Sequence, residues 1–425
     1  MGMQAVRMER EDAFGEGGIG PSGAERARVP AESGLALHIL NLDEIAAAYG
    51  QGAAVAAANH VECFLNFELR DQDALGSAEY VLRQLSEIPV AYDGQRFHLF
   101  VSLAPTGGTE NCAHKVTPTV HGNPAFPDDA WCRRYRADMA LAVNLFEAMT
   151  EDRLVLAWQP VGASRNQATT LYHECLVRAE PSGSDGPDAL AESAAASVGA
   201  LERLGLIRAL DRYVMARAIE ELRNEPLISL GVNVSGLSLV DDFWWTEILA
   251  DLEQSPRIAR RLFIEVTETA LPGSVAEAAS FLRRLRRLGC KIALDDFGVG
   301  HAAIRSILTL APDVVKIDGY FIHNARTAPL GPKALEHMIG LAASFGATAI
   351  VEGIECASDA QIATEAGALW LQGYHCGRPT VSRPWRLKVP ARMPTSVVGL
   401  SKGAAGRRVE LSQRAVSTHF SGSMQ

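Results

Sequence analysis

Eight apolar runs in the second half of the 425-residue chain each carry, at or near one end, a side chain able to bind a cation or move a proton. The runs are RLVLAWQPV, TLYHECLVR, LISLGVNVS, RLFIEVTET, CKIALDDFG, DVVKIDGYF, TAIVEGIE and LWLQGYHCGRP. Their polar residues are Gln159, Glu174, Asn233, Glu265, Asp295 with Asp296, Lys316, Glu352 and Gln372. A strand buried on both faces reads as a continuous apolar run, and an unpaired buried charge is costly. If the runs are parallel strands of one barrel, their ends meet on one face. Acids converging there repel each other, and divalent cations remove that repulsion. Oxygen donors suit hard divalent cations.

The elements that must position these groups follow from the spacing between the runs. RALDRYVMARAIEEL, VAEAASFLRRLRRLG and ALEHMIGLAASFG repeat apolar residues three and four apart, which predicts helices. Strand and helix alternate eight times. The fold class predicted is α/β, a TIM-like (β/α)8 barrel over residues 138–392 with its site at the carboxyl ends of the strands. A doubly wound open sheet would instead gather its ligand at one switch point. Before the barrel, residues 34–137 form a smaller α/β domain, with strand-like LALHIL and RFHLFVSL, a helical stretch from Glu79 to Leu85 and a loop from Pro105 to Pro127. The stretch from Ala137 to Met149 has helical spacing and links the halves. Residues 1–33 and 393–425 read as disordered tails.

Composition bounds the function. Fifty acids against 40 bases, net charge -10, argue against a nucleic-acid polymer as partner. Hydrophobic residues at 48% are enough to build cores. No apolar stretch is long enough to span a membrane, and the amino terminus has no signal-peptide core. Seven cysteines, an odd count without a disulfide-framework spacing, fit a reducing cytoplasm.

Taken in order, WQPV, ECLVR, VNVS, EVTE, DDFG, KID, EGIE and QGYHCGRP resemble the EAL family of cyclic di-GMP phosphodiesterases over residues 152 to about 390. The signature tripeptide reads Glu174-Cys175-Leu176, with cysteine where the family has alanine. The resemblance implies hydrolysis of cyclic di-GMP to linear pGpG with two Mg²⁺ or Mn²⁺ ions per active site. It implies one ion on Glu174, Asn233, Glu265 and Asp295, and a second on Asp295, Asp296 and Glu352. Glu352 would accept the proton of the attacking water, and Lys316 would position that water. Gln159, Leu176, Arg178, Asp318 and Gln372 would contact the substrate, Arg178 through a phosphate. Glu268 and Glu355 would support the ligands from behind, Glu268 by anchoring the loop after DDFG. A homodimer through the EAL domain is implied as well. The family's DDFGTGYSSL reads here Asp295-Asp296-Phe297-Gly298-Val299-Gly300-His301-Ala302-Ala303-Ile304. Lost hydroxyls cost hydrogen bonds of about 0.5–1.5 kcal/mol each, so an active enzyme with altered rate or regulation is expected. A receptor that binds cyclic di-GMP uncut, or a protein-binding adaptor, is the alternative.

LALHILNLDEIAAAYG is similar to the first strand and helix of a GGDEF domain, with Asn41 where a metal-binding aspartate would fall. No GGDEF or GGEEF string occurs, so residues 34–137 are read as a degenerate GGDEF-like regulatory or dimerisation domain. Each residue singled out also has a plainer reading. An Asp-Asp pair commonly caps or turns the chain, a strand lysine commonly pairs with one acid, and Asn233 or Ser235 could cap a following helix. Cys112, His114, His121 and Cys132 lack the close pairing a zinc site needs. Cys175, Cys290, Cys356 and Cys376 read as small buried hydrophobes, with Cys175 a conceivable redox-sensitive point. The RRLRR run, Arg283 to Arg287, reads as a solvated helix face.

Overall fold

The computed structural model describes residues 26–28, 35–68, 78–105, 127–178, 187–267, 275–299 and 303–386. The chain forms one compact unit, Met1–Pro384, and a second, Trp385–Gln425, of which Trp385 and Arg386 are described. The first unit opens with strands β1 (Arg26–Arg28) and β2 (Leu35–Ile39), helices α1 (Leu42–Tyr49), α2 (Gln51–Glu68) and α3 (Ala78–Glu87), the hairpin β3 (Val90–Tyr92) and β4 (Gln95–Phe97), and strand β5 (Val101–Pro105). β1, β2 and β5 make an antiparallel sheet in that order. β1 thus lies inside the segment expected to be a tail. The 22-residue helix α4 (Asp129–Thr150) follows, started by Asp128, whose carboxylate accepts from the Trp131 N–H at 2.7 Å. It crosses the expected boundary at residue 137 without a break.

Eight strands then close a barrel: β6 (Val155–Ala163), β7 (Asn166–Arg178), β8 (Leu230–Asn233), β9 (Leu262–Thr267), β10 (Lys291–Phe297), β11 (Val314–Ile317), β12 (Thr348–Val351) and β13 (Trp370–Leu371). Outside it run α5 (Pro187–Leu204), α6 (Ile207–Asn224), α7 (Thr246–Gln254), α8 (Pro256–Ala259), α9 (Val275–Leu288), α10 (Ala303–Leu310), α11 (Gly319–Thr327), α12 (Gly331–Ser344) and α13 (Ala357–Glu365). The expectation of eight parallel strands fails at the first. β6 is antiparallel to both of its neighbours, β7 and β13. The cause is the connection: only Ser164 and Arg165 separate β6 from β7, and a link that short joins antiparallel strands, whereas a parallel pair needs a crossover of about a dozen residues. The barrel is mixed, within a TIM-like architecture.

Side-chain alternation along a strand has period two, and it stacks the barrel interior in layers. Val161, Tyr172, Phe263, Ala293, Val314 and Ile350 form one buried apolar layer. Glu174, Glu265, Asp295, Lys316 and Glu352 each stand two residues beyond a member of that layer, so they form the next layer towards the strand ends. Gln159 stands two residues before Val161. Because β6 is reversed, that places it at the same end of the barrel, opposite Glu174 in the ladder. Among the described residues no helix is long and apolar enough to cross a membrane.

Candidate active site

The carboxylates at the strand ends meet around one lysine. Lys316 Nζ lies 3.2 Å from Glu174 Oε2, 2.7 Å from Glu265 Oε2, 3.0 Å from Asp295 Oδ1 and 3.0 Å from Glu352 Oε1. Lys316 is 1% exposed and Glu265 is fully buried. The Asn233 amide donates to Glu174 Oε1 at 2.7 Å, and the Gln372 amide donates to Glu174 Oε2. One oxygen each from Glu174, Glu265 and Asp295 lie within 4.8 Å of one another, as do oxygens from Asp295, Asp296 and Glu352. Asp295 belongs to both groups.

Two local features let adjacent aspartates share the site. Neighbouring residues of a regular strand point to opposite faces. The β10–β11 register shifts between Leu294 and Phe297, and Asp296 takes a left-handed φ of 53°, a region aspartate enters more readily than most residues. Gly298 follows at φ +104°, where a Cβ would come within 2.4 Å of Phe321. On β8, between β7 and β9, a Cβ on Gly231 would stand 1.9 Å from Glu265 Oε1 and 2.6 Å from the Tyr172 ring. The missing side chain of Gly231 is the space the Glu265 carboxylate occupies.

Five acids and one lysine leave the site strongly negative. Burial, with Asp295 and Glu174 adding to it, pushes Glu352 well above the ordinary carboxylate value despite Lys316. Burial raises Glu265 to about 8 and Asp296 to about 6, and it raises Asp295 too. Glu174 is the exception: burial opposes its charge, but Lys316 and the Asn233 and Gln372 amides hold it below the usual range. The same acids keep Lys316 charged against its own burial. Without further cations such a cluster retains protons at neutral pH, and divalent ions would displace them. The residues fit hard cations: the donors are all oxygens, and Glu265 Oε1 is buried with no hydrogen-bond partner among the described residues.

The other residues expected at the site stand at its margins. Gln159 donates to the Gly377 carbonyl at 3.2 Å. Arg178 is half-buried and donates to the Val177 carbonyl at 2.8 Å. Leu176 is half-buried on β7. Asp318 caps α11, accepting from the Tyr320 N–H at 2.7 Å. Glu355 is exposed and lies 3.5 Å from Arg326 and 3.7 Å from His323. Glu268 and the loop residues Gly300, His301 and Ala302 lie outside the described residues, as do Cys112, His114 and His121. Ser235 makes no side-chain cap to the turn after it, so the plainer reading of that residue does not hold. Cys175 is buried, which pushes its thiol well above its ordinary value; thiolate chemistry there is disfavoured. Cys356, read as buried, is exposed at the start of α13.

Sequence reasoning passed over Gly231, Tyr172 and Asp211. Asp211 left a signal, a carboxylate inside the apolar stripe of RALDRYV; Gly231 and Tyr172 act through contacts with neighbouring strands.

Comparison with known proteins adds to this geometry. The family model described as "EAL domain" matches residues 142–379, more than half the chain. The chain is 27% identical over 338 residues to the cyclic di-GMP phosphodiesterase NbdA of Pseudomonas aeruginosa, covering 75% of this chain and 42% of that protein. It is 26% identical over 253 residues to the cyclic di-GMP phosphodiesterase PdeF of Escherichia coli, covering 58% and 32%. The chain thus spans less than half the length of these two relatives. Among solved structures, the PaMucR phosphodiesterase in its c-di-GMP complex superposes with a TM-score of 0.50 at 23% identity, over 57% of this chain and 97% of that one; at that identity the likeness is one of fold.

Proposed function

Because the chain belongs to the EAL-domain family, we propose that it hydrolyses cyclic di-GMP to linear pGpG with the help of two divalent cations, Mg²⁺ or Mn²⁺. The observation that carries the reading is the pair of carboxylate groups sharing Asp295 around Lys316. Glu174, Asn233, Glu265 and Asp295 would hold one cation, Asn233 through its Oδ1, since its amide nitrogen serves Glu174. Asp295, Asp296 and Glu352 would hold the other. Bound there, the cations would offset the surplus negative charge, polarise the phosphodiester and favour ionisation of a water.

The protein's own groups do the rest. Glu352 takes the proton that the attacking water gives up. The water oxygen bonds to phosphorus, one phosphorus–oxygen ester bond breaks, which opens the ring, and the departing oxygen takes up a proton from solvent. Lys316 holds four carboxylates in place and counters charge growing on the phosphate. Arg178 faces a phosphate as a guanidinium fork, and Gln159, Leu176, Asp318 and Gln372 line the substrate.

Three further parts of the reading concern the whole chain. Residues 34–137 act as a degenerate GGDEF-like regulatory module. In support, the Asn41 amide donates to the His98 carbonyl at 3.1 Å and its oxygen accepts from the Phe100 N–H at 2.9 Å, so the side chain is spent on backbone. The protein works in the cytoplasm, and as a homodimer. A receptor for uncut cyclic di-GMP is the second reading, favoured by the altered loop, where Val299 stands exposed.

The test is incubation of the purified protein with cyclic di-GMP and Mg²⁺ or Mn²⁺, beside Glu174→Ala and Glu352→Ala. The expected result is linear pGpG from the native protein and none from the variants. Intact dinucleotide after incubation with folded native protein overturns the enzyme reading, and binding of that dinucleotide then supports the receptor.

A further inference from the structure

Asp211, on α6, is a buried carboxylate that the proposed reaction does not use. One of its oxygens, Oδ2, accepts two hydrogen bonds: from the Ser235 N–H at 2.9 Å and from the Ser238 hydroxyl at 2.6 Å. Both donors belong to the turn that leaves β8 immediately after Asn233. The turn is tied at two further points. Trp245 Nε1 donates to the Ser238 carbonyl at 2.8 Å, and the Ser235 hydroxyl donates to Glu202 Oε1 at 3.0 Å. Just before it, the Val234 N–H donates to the Glu265 carbonyl at 2.8 Å. Asn233 therefore stands on a short stretch fixed on one side by β9 and on the other by α6. A buried carboxylate is a costly means of satisfying one N–H and one hydroxyl, unless the placement of the turn itself matters.

We propose that Asp211 is a positioning residue for Asn233: it fixes the turn after β8 so that the Asn233 amide is held against Glu174 with its oxygen aimed at the cation site. The proposal rests on the reading of Asn233 as a cation ligand. Groups that orient metal ligands in this way typically change metal affinity by about 10–100-fold when removed. A merely structural Asp211 would lower stability and leave affinity alone.

The experiment measures Mn²⁺ affinity directly, from the loss of the free-ion paramagnetic resonance signal, in the full chain with no substrate present. Native protein is compared with Asp211→Ala, Asp211→Asn, Ser238→Ala and Glu174→Ala, and thermal unfolding without metal is recorded for each. Asp211→Ala is expected to weaken Mn²⁺ binding about 10-fold or more. Asp211→Asn, whose single amide oxygen can accept both bonds, is expected to recover most of it. Ser238→Ala, which removes one bond of two, is expected to fall between, and it decides the matter if Asp211→Ala does not fold. Native affinity in Ser238→Ala, or in a folded Asp211→Ala, overturns the proposal, as does an Asp211→Asn variant no better than alanine. If native protein and Glu174→Ala bind Mn²⁺ equally weakly, the cation reading fails and this inference fails with it. Native binding lost in Glu174→Ala but kept in the Asp211 and Ser238 variants sinks the inference alone.

Discussion

Gly231 acts through the side chain it lacks. Glu265 occupies the volume where a Cβ would stand, 1.9 Å from its Oε1, and Tyr172 closes the same space from below. Gly231→Ala should force the carboxylate and the ring apart at an overpacking cost of about 1–3 kcal/mol. A displacement on the scale of an ångström at a reacting centre costs about 100-fold in rate, so kcat/KM for dinucleotide cleavage should drop by that factor while circular dichroism still reports a folded protein. Native kcat/KM in the variant would show that Glu265 has room to move. The acids themselves were legible in the sequence, since each interrupts an apolar run that has no other reason to be interrupted. Gly231 was not, because what it clears space for lies on another strand.

The β10 turn is the element that converts two consecutive aspartates into neighbours on one site. Its register shift, the left-handed Asp296 and Gly298 at φ +104° act together. Gly298→Ala meets both a disfavoured φ and the Phe321 ring at 2.4 Å. Denaturant titration should show a loss of about 1–3 kcal/mol with unchanged m, and a midpoint equal to that of the native chain would mean the turn has another way to close. The sequence disclosed the motif DDFG but not the shift, since a bulge depends on what the neighbouring strand pairs with. The direction of β6 follows the same logic. Its apolar pattern is compatible with either direction, and only the two-residue link at Ser164 and Arg165 decides it. Three of the helices outside the barrel, α6, α9 and α12, were legible from their spacing, while the ties α6 makes, at Asp211 and through a fork from Arg383 to Glu221 at 2.6 and 2.7 Å, were not.

At the scale of the molecule, the amino-terminal elements and the barrel belong to one compact unit, so ionisation in the former bears on the stability of that unit. His98 is fully buried, and Nδ1 lies 2.8 Å from the Ser86 carbonyl, which can only accept; the neutral ring therefore carries its proton there. Burial lowers His98 from 6.5 to about 4. The unfolded chain takes up a proton below pH 6.5 that the folded chain refuses until about 4, so the stability from this group is complete above 6.5 and is lost as pH falls. The loss is about 2 kcal/mol by about pH 5. The raised acids of the barrel act in the opposite sense, so the quantity to measure is the difference between the native chain and His98→Gln in urea midpoint at about pH 7.5 and pH 5. The native chain should lose more stability than the variant on acidification; equal losses would assign the effect elsewhere. The reversed strand sets where the amino-terminal part is attached. A barrel whose strands all run one way takes in its chain at the face remote from the acids. Here α4 ends at Thr150, and the chain enters β6 at Val155, opposite Arg178 at the far end of β7. The tether is at the rim where the acids gather, so any load carried along α4 acts on β6, whose first residues border that opening, with no need to pass through the barrel wall.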